Sequence, residues 1–196
     1  MTITLKPEAS AILIVEPSRL HSRLLGKPVE ATTATKFRHL DAAANLVKVP
    51  RWFAVFNQSV DESWLCEPCS KRRNRVYVCD DAKMPWHNHE LVEAIKNEER
   101  SRLLICGFWL DAGLAATALE ALSDGFDVHV ITDLTFSRNP ENRRTALRRL
   151  EQFGVVPITL AEVIFEFMSW SEDPAVVAGM RQILDDPAIH EKGASA

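Results

Sequence analysis

The stretch "LLICGFWLDAGLAATALEALSDGFDVHVITD", residues 103–133, decides the fold. It opens on a short apolar run. Leu114, Thr117, Ala118 and Ala121 then recur at helical spacing, Asp124-Gly125 stops that pattern, and a second apolar run follows. Strand, helix and strand in that order make a crossover unit, whose two strands lie parallel because the helix carries the chain back to the starting edge.

The rest of the chain repeats this rhythm. Upstream, "AILIV" (11–15) reads as a buried parallel strand. "TATKFRHLDAAANLVKV" (33–49) reads as a helix with Phe37, Leu40, Ala44 and Val47 on one face, ended by Pro50. "WFAVFNQ" (52–58) and "RVYVC" (75–79) read as two more strands, separated by a polar loop, and "NHELVEAIKNEE" (88–99) as a helix burying Leu91, Ala94 and Ile95. Downstream, "NPENRRTALRRLEQFG" (139–154) carries Asn139 as N-cap, Pro140 at the first helical position and Gly154 just past the end. "VVPIT" (155–159) is a strand and "LAEVIFEFMSW" (160–170) a helix. The expectation is a three-layer α/β domain over residues 1–173, with six parallel strands and helices on both faces, followed by a helical tail over 174–196.

Composition narrows the class. The 196 residues are 46% hydrophobic and 26% charged with a net charge of −4, which fits one well-filled domain and gives no basic field for nucleic acid. The apolar runs are too short for a membrane span, and the N-terminus lacks the apolar core of a signal peptide. Four cysteines without such a signal point to a reducing cytoplasm. "CEPC" (66–69) has half of a zinc motif, but no second pair completes it, so two free thiols are expected and no metal or other cofactor. "SKRRNR" (70–75) and "RRTALRRL" (143–150) read as solvated basic faces, the second pairing with Glu141 and Glu151.

Ligands of such sheets bind beyond the carboxyl ends of the strands, which directs attention to Glu16, Asn57, Cys79 to Lys83, Gly107 to Gly113, and Asp133. Here the chain resembles the isochorismatase-like cysteine hydrolases. The resemblance runs through "MPWHNHELVEAIK" (84–96), the 103–133 stretch and "NPENRRTALRRLEQFGVVPITLAEVIFEF" (139–167), with Pro85-Trp86-His87-Asn88 standing for the N-A-W-D-N-like phrase. The family phrase G-V-x-T-D/E-x-C-V-x-x-T falls on Gly107 to Thr117. The resemblance implies a Rossmann-like six-stranded sheet, oligomeric assembly, a cis peptide just before the nucleophile helix, and an Asp–Lys–Cys triad. In that triad a helix N-terminus activates the thiol.

Carried over residue by residue, the triad fails. The cysteine position is Gly113, the aspartate position is Glu16, and the lysine position falls near Cys79 or Asp80, with Lys83 three to four residues late. The expectation is a non-catalytic relative that binds a small molecule or serves as an oligomeric scaffold, with Trp86, Trp109, Asp111 and Gly113 around the ligand. Trp86 and Trp109 either stack on a planar ligand or pack at a subunit contact. The other reading is a hydrolase of small amides with rewired chemistry, in which Glu16 works with Cys79, Lys83 or Asp111. Cys106 is expected in the core, and His87 and His89 at a polar helix start. Phe108-Trp109-Leu110 and "VIFEFMSW" are expected to need a homo-oligomer to hide them.

Overall fold

The computed structural model describes residues 4–56 and 75–191. Six strands form one sheet in the order β3-β2-β1-β4-β5-β6, every adjacent pair parallel. They are β1 (Ser10–Val15), β2 (Arg51–Phe56), β3 (Val76–Cys79), β4 (Arg102–Phe108), β5 (Asp127–Phe136) and β6 (Val156–Ile158). The helices are α1 (Arg19–Arg23), α2 (Lys27–Leu46), α3 (His89–Lys96), α4 (Ala115–Ser123), α5 (Pro140–Phe153), α6 (Leu160–Ser169), α7 (Pro174–Leu184) and α8 (Pro187–His190). A π-helical turn, Leu110–Leu114, leads into α4. The chain therefore has the doubly wound architecture that the 103–133 stretch implied.

Strand alternation builds the core on both faces. Ile12 and Ile14 of β1, Phe53 of β2 and Leu104, Cys106 and Phe108 of β4 pack with α2, α6 and α7 on one side. Ala11, Leu13 and Val15, then Trp52 and Ala54, then Leu103 and Ile105 pack with α3, α4 and α5 on the other. Met180 of α7 and Ile189 of α8 are buried in the first of these layers. Among the described residues no helix is long and apolar enough to cross a membrane.

Helix ends follow the local signals. Asn139 accepts from the Glu141 N–H and Gly154 closes α5 with φ 98°. Thr159 and Glu162 form a reciprocal capping box on α6. Asn88 caps α3 by accepting from the Leu91 N–H, and His87 and His89 stay at the surface.

Two departures from the expected elements matter for the site. The segment after β1 holds a helix that the apolar pattern did not reveal: Ser18 caps α1 by accepting from the Leu20 N–H. And β5 runs to Phe136 rather than stopping at Asp133. Between the pairs Ile105–Val130 and Gly107–Thr135, β5 advances five residues while β4 advances two. This bulge lengthens β5, stacks Phe136 on Phe108 at 4.6 Å, and delivers Arg138 to the end of the sheet.

The centre of the sheet imposes one strict requirement. Gly107 pairs with Val15 across β4 and β1 and has φ 123°. A Cβ there would fall on the Val15 carbonyl, 2.8 Å from its carbon. We expect Gly107→Ala to destabilise the fold by about 3 kcal/mol, combining a disallowed φ with backbone overlap. Denaturant unfolding of the variant checks this, and a midpoint matching the parent contradicts it.

Candidate functional site

The strand order reverses direction between β1 and β4, so their outgoing chains part and leave a crevice at their carboxyl ends. A cleft of about 460 Å³ occupies it. Glu16, His21, Phe56, Trp109, Gly113 and Arg138 line it together with the Asp81–Met84 segment.

Glu16 is the first residue beyond β1 and is fully buried. Its backbone adopts φ 48°, a left-handed conformation uncommon for a residue with a side chain. Among the described residues, hydrogen bonds hold it from the backbone and the side chain. The Glu16 N–H donates to the Ala54 carbonyl (2.8 Å), its carbonyl accepts from the Ser18 N–H (2.7 Å), and its Oε2 accepts from the Phe56 N–H (2.8 Å). The carboxylate is thus fastened across the ends of β1 and β2.

α1 folds His21 back over this carboxylate. His21 Nδ1 lies 3.8 Å from Glu16 Oε1. The ring stands edge-on to Trp109 at 5.3 Å and lies 5.9 Å from Phe108. Burial and then the Arg138 charge hold the imidazole below its ordinary pKa, so they outweigh the nearby carboxylate and keep His21 neutral at pH 7. Arg138 itself sits 5.3 Å over the Trp109 ring.

A cis peptide joins Phe108 to Trp109, where the family resemblance implied one. Phe108 and Leu110 go into the core, and Trp109, 6% exposed, forms part of the cleft wall. These three residues are hidden within one chain, so they supply no apolar surface for assembly. Of the "VIFEFMSW" segment, Ile164 and Phe167 are buried, while Phe165 and Trp170 remain exposed.

The remaining sequence-derived candidates separate. Gly113 faces the cleft, and a Cβ there would meet only Pro85 Cδ at 3.5 Å and Met84 Cα at 4.0 Å, ordinary contacts. Lys83 stands at the rim with its Nζ 3.7 Å from Asp80. Asp111 is not part of the lining, and its Oδ2 accepts from the Asn142 amide at 3.2 Å. Trp86 is also away from the cleft. It is 6% exposed, donates from Nε1 to Asp124 (3.0 Å) and packs edge-on against Phe126, so it is a strut of the helical layer.

Cys79 is 3% exposed and does not line the cleft. Burial pushes its thiol up to about 11, against a smaller opposing effect of the Asn88 hydrogen bond and with Glu16 adding to the rise. Cys106 is buried in the core. Cys66, Cys69 and Asn57 lie outside the described residues, and among those described no group of three His, Cys, Asp or Glu side chains is arranged to hold a metal. The basic face of α5 is solvated, with Arg144 paired to Glu141 at 2.9 Å.

His21 and Arg138 were not evident from the sequence. The Pro-Ser pair before "RLHSR" was the available signal for α1, and Arg138 required the bulge in β5.

The family profile described as "Isochorismatase domain" matches residues 31–162. The chain belongs to the isochorismatase family. Its relatives include the probable hydrolase YcaC of Escherichia coli, 35% identical over 89 residues that make up 45% of this chain and 43% of that protein. The isochorismatase family protein 2A of Dictyostelium discoideum is 25% identical over 122 residues, 61% of each chain. These matches span 43% and 61% of the relatives' lengths. Among solved structures, E. coli YcaC, described as an octameric hydrolase of unknown specificity, superposes with a TM-score of 0.81 at 22% identity, covering 97% of this chain and 94% of that one. YcaC of Pseudomonas aeruginosa, solved with hexane-2,5-diol and covalent acrylamide, gives 0.80 at 24% identity, covering 97% and 95%.

A thiol with a pKa of about 11 is ionised in roughly one molecule per thousand at pH 8, against about a quarter for an ordinary cysteine. Peptide-resolved iodoacetamide labelling at pH 8 is therefore expected to modify Cys79 about a hundredfold more slowly in the folded protein than in the unfolded chain. Equal rates would contradict its burial.

Proposed function

We propose that this protein is a member of the isochorismatase family with glycine, not cysteine, at position 113, that it binds a small molecule in the cleft between β1 and β4, and that it does not hydrolyse it through a cysteine. One observation carries the reading. The cleft is open, about 460 Å³, and lined by Glu16, Trp109, Gly113 and Arg138, while both described cysteines are buried away from it. That volume suits a small metabolite. Trp109 offers a flat apolar wall, Arg138 and Lys83 offer cationic contacts, and Gly113 leaves the space that a side chain would take.

The rewired alternative in which Cys79 attacks is disfavoured by its burial and raised pKa. Asp111 bonds Asn142 and does not line the cleft, which disfavours it as a partner for Glu16. The protein is read as cytoplasmic, with no nucleic-acid or membrane partner. It is also read as a homo-oligomer, since Leu20, Leu24, Phe153 and Phe165 are more than half exposed and E. coli YcaC is octameric.

The test is a panel of small amides, amidines and carboxylic acids, scored by thermal shift and by turnover in the parent, Cys79→Ala and Gly113→Cys. Stabilisation by a panel member that Arg138→Ala abolishes is the expected result. Thiol-dependent turnover that disappears in Cys79→Ala would overturn the reading. Gly113→Cys is expected to fold, given the room at that position, and to remain without turnover, because Lys83 stands at the rim beside Asp80 and Glu16 replaces the aspartate that the resemblance implies. Light scattering at micromolar concentration is expected to give a mass above 22.1 kDa, and a monomer would refute the assembly.

A further inference from the structure

Glu16 and His21 form an arrangement with chemistry of its own. The carboxylate is buried and tied to the Phe56 N–H. In front of it stands an imidazole whose Nδ1 is sealed from solvent and lies 3.8 Å from Glu16 Oε1. His21 is itself one of the residues that line the cleft. A buried carboxylate behind an imidazole at an open site is the arrangement that selects the Nδ1–H tautomer and leaves Nε2 to accept a proton. The 3.8 Å spacing is longer than a hydrogen bond, as such pairs often are before substrate closes on them.

We propose that His21, positioned by Glu16, activates a water molecule in the cleft for hydrolysis of small carboxylic esters, with Arg138 beside the developing oxyanion. This goes beyond the binding role proposed above and depends on the same cleft. His21 Nε2 takes one proton from water as the water oxygen bonds to the ester carbonyl carbon, and the carbonyl oxygen becomes the oxyanion. When that intermediate collapses, the carbon–oxygen bond to the leaving alcohol breaks. The His21 proton goes to the leaving oxygen, giving a carboxylic acid and an alcohol without oxidant or cofactor. Gly113, on the same cleft, leaves the volume where the water and the acyl group meet.

The charged groups around His21 set its pH behaviour. Glu16 lies behind it, Arg138 comes from the segment after β5, Asp81 and Lys83 line the same cleft, and Arg19 and Arg23 belong to α1 itself. Trp109 and Phe108 supply the apolar contacts.

The experiment uses p-nitrophenyl acetate as substrate and p-nitrophenol as a binding probe, followed by quenching of tryptophan fluorescence. The parent protein is expected to hydrolyse the ester with kcat/KM at least a hundredfold above His21→Ala, the scale of a general base. Its pH profile is expected to rise through a pKa below 6.5 and then stay flat to pH 8. Cys79→Ala is expected to keep the parent rate. Glu16→Gln is expected to lower the rate and to move the rising limb to lower pH, since the charge behind the imidazole is gone, whereas a purely structural role would leave that limb in place. A thermal melt of each variant distinguishes misfolding from lost chemistry, and His21→Gln serves if the alanine variant unfolds. Probe binding with equal hydrolysis in the parent and His21→Ala overturns the water-activation proposal alone. Absence of probe binding together with absence of hydrolysis overturns both this proposal and the binding role.

Discussion

The contact between β4 and β1 at Gly107 and Val15 governs the whole molecule. The two strands approach so closely that only a residue without a Cβ, at φ 123°, fits between them. This contact lies where the sheet reverses its winding. The chain leaving β1 goes to one face and the chain leaving β4 to the other. Because the strands are pressed together below and their exits diverge above, a cleft forms at that end of the β1–β4 seam. The bulge in β5 lies opposite the same stretch of β4. β4 reaches its pairing with Thr135 only after β5 has taken up extra residues, and those residues carry Arg138 toward the cleft.

The cleft holds Gly113 and Glu16, the positions to which the family resemblance assigned a cysteine and an aspartate. Gly113 leaves open space there. At the aspartate position stands a longer carboxylate, and the backbone of Glu16 adopts a left-handed conformation with its side chain fastened to β2. A carboxylate held in that way is turned toward α1, and α1 supplies His21. The local electrostatics are consistent with this exchange. The Arg138 charge and burial keep the imidazole neutral, while burial keeps the Cys79 thiol protonated. A neutral imidazole can accept a proton near pH 7, and a buried protonated thiol cannot attack.

Assembly is a separate matter from the cleft. Phe108, Trp109 and Leu110 are absorbed by the fold of a single chain, so any apolar drive toward association resides in exposed residues such as Leu20, Leu24, Phe153 and Phe165. Leu20 lies in the helix that carries His21, and Leu24 is its C-cap. A neighbouring subunit covering them would stiffen the segment that positions the imidazole.

The fold was legible in the sequence, and so was the glycine at the position where the resemblance implied a cysteine. Hydrophobic periodicity, caps such as Asn139 and stops such as Gly154 are local signals, and local signals survive reading one residue at a time. Gly113 needed only an alignment of neighbouring phrases to be seen where a cysteine was expected. The tertiary structure alone decided which side chains share the cleft. Trp86 and Asp111 are close in sequence to cleft residues yet turn to Asp124 and Asn142 instead. His21 and Arg138 lie 117 positions apart and meet because α1 folds back over β1 and a bulge lengthens β5. A short helix with a weak apolar pattern and a bulge set by a neighbouring strand leave little trace in the local sequence, because packing against the rest of the molecule stabilises both.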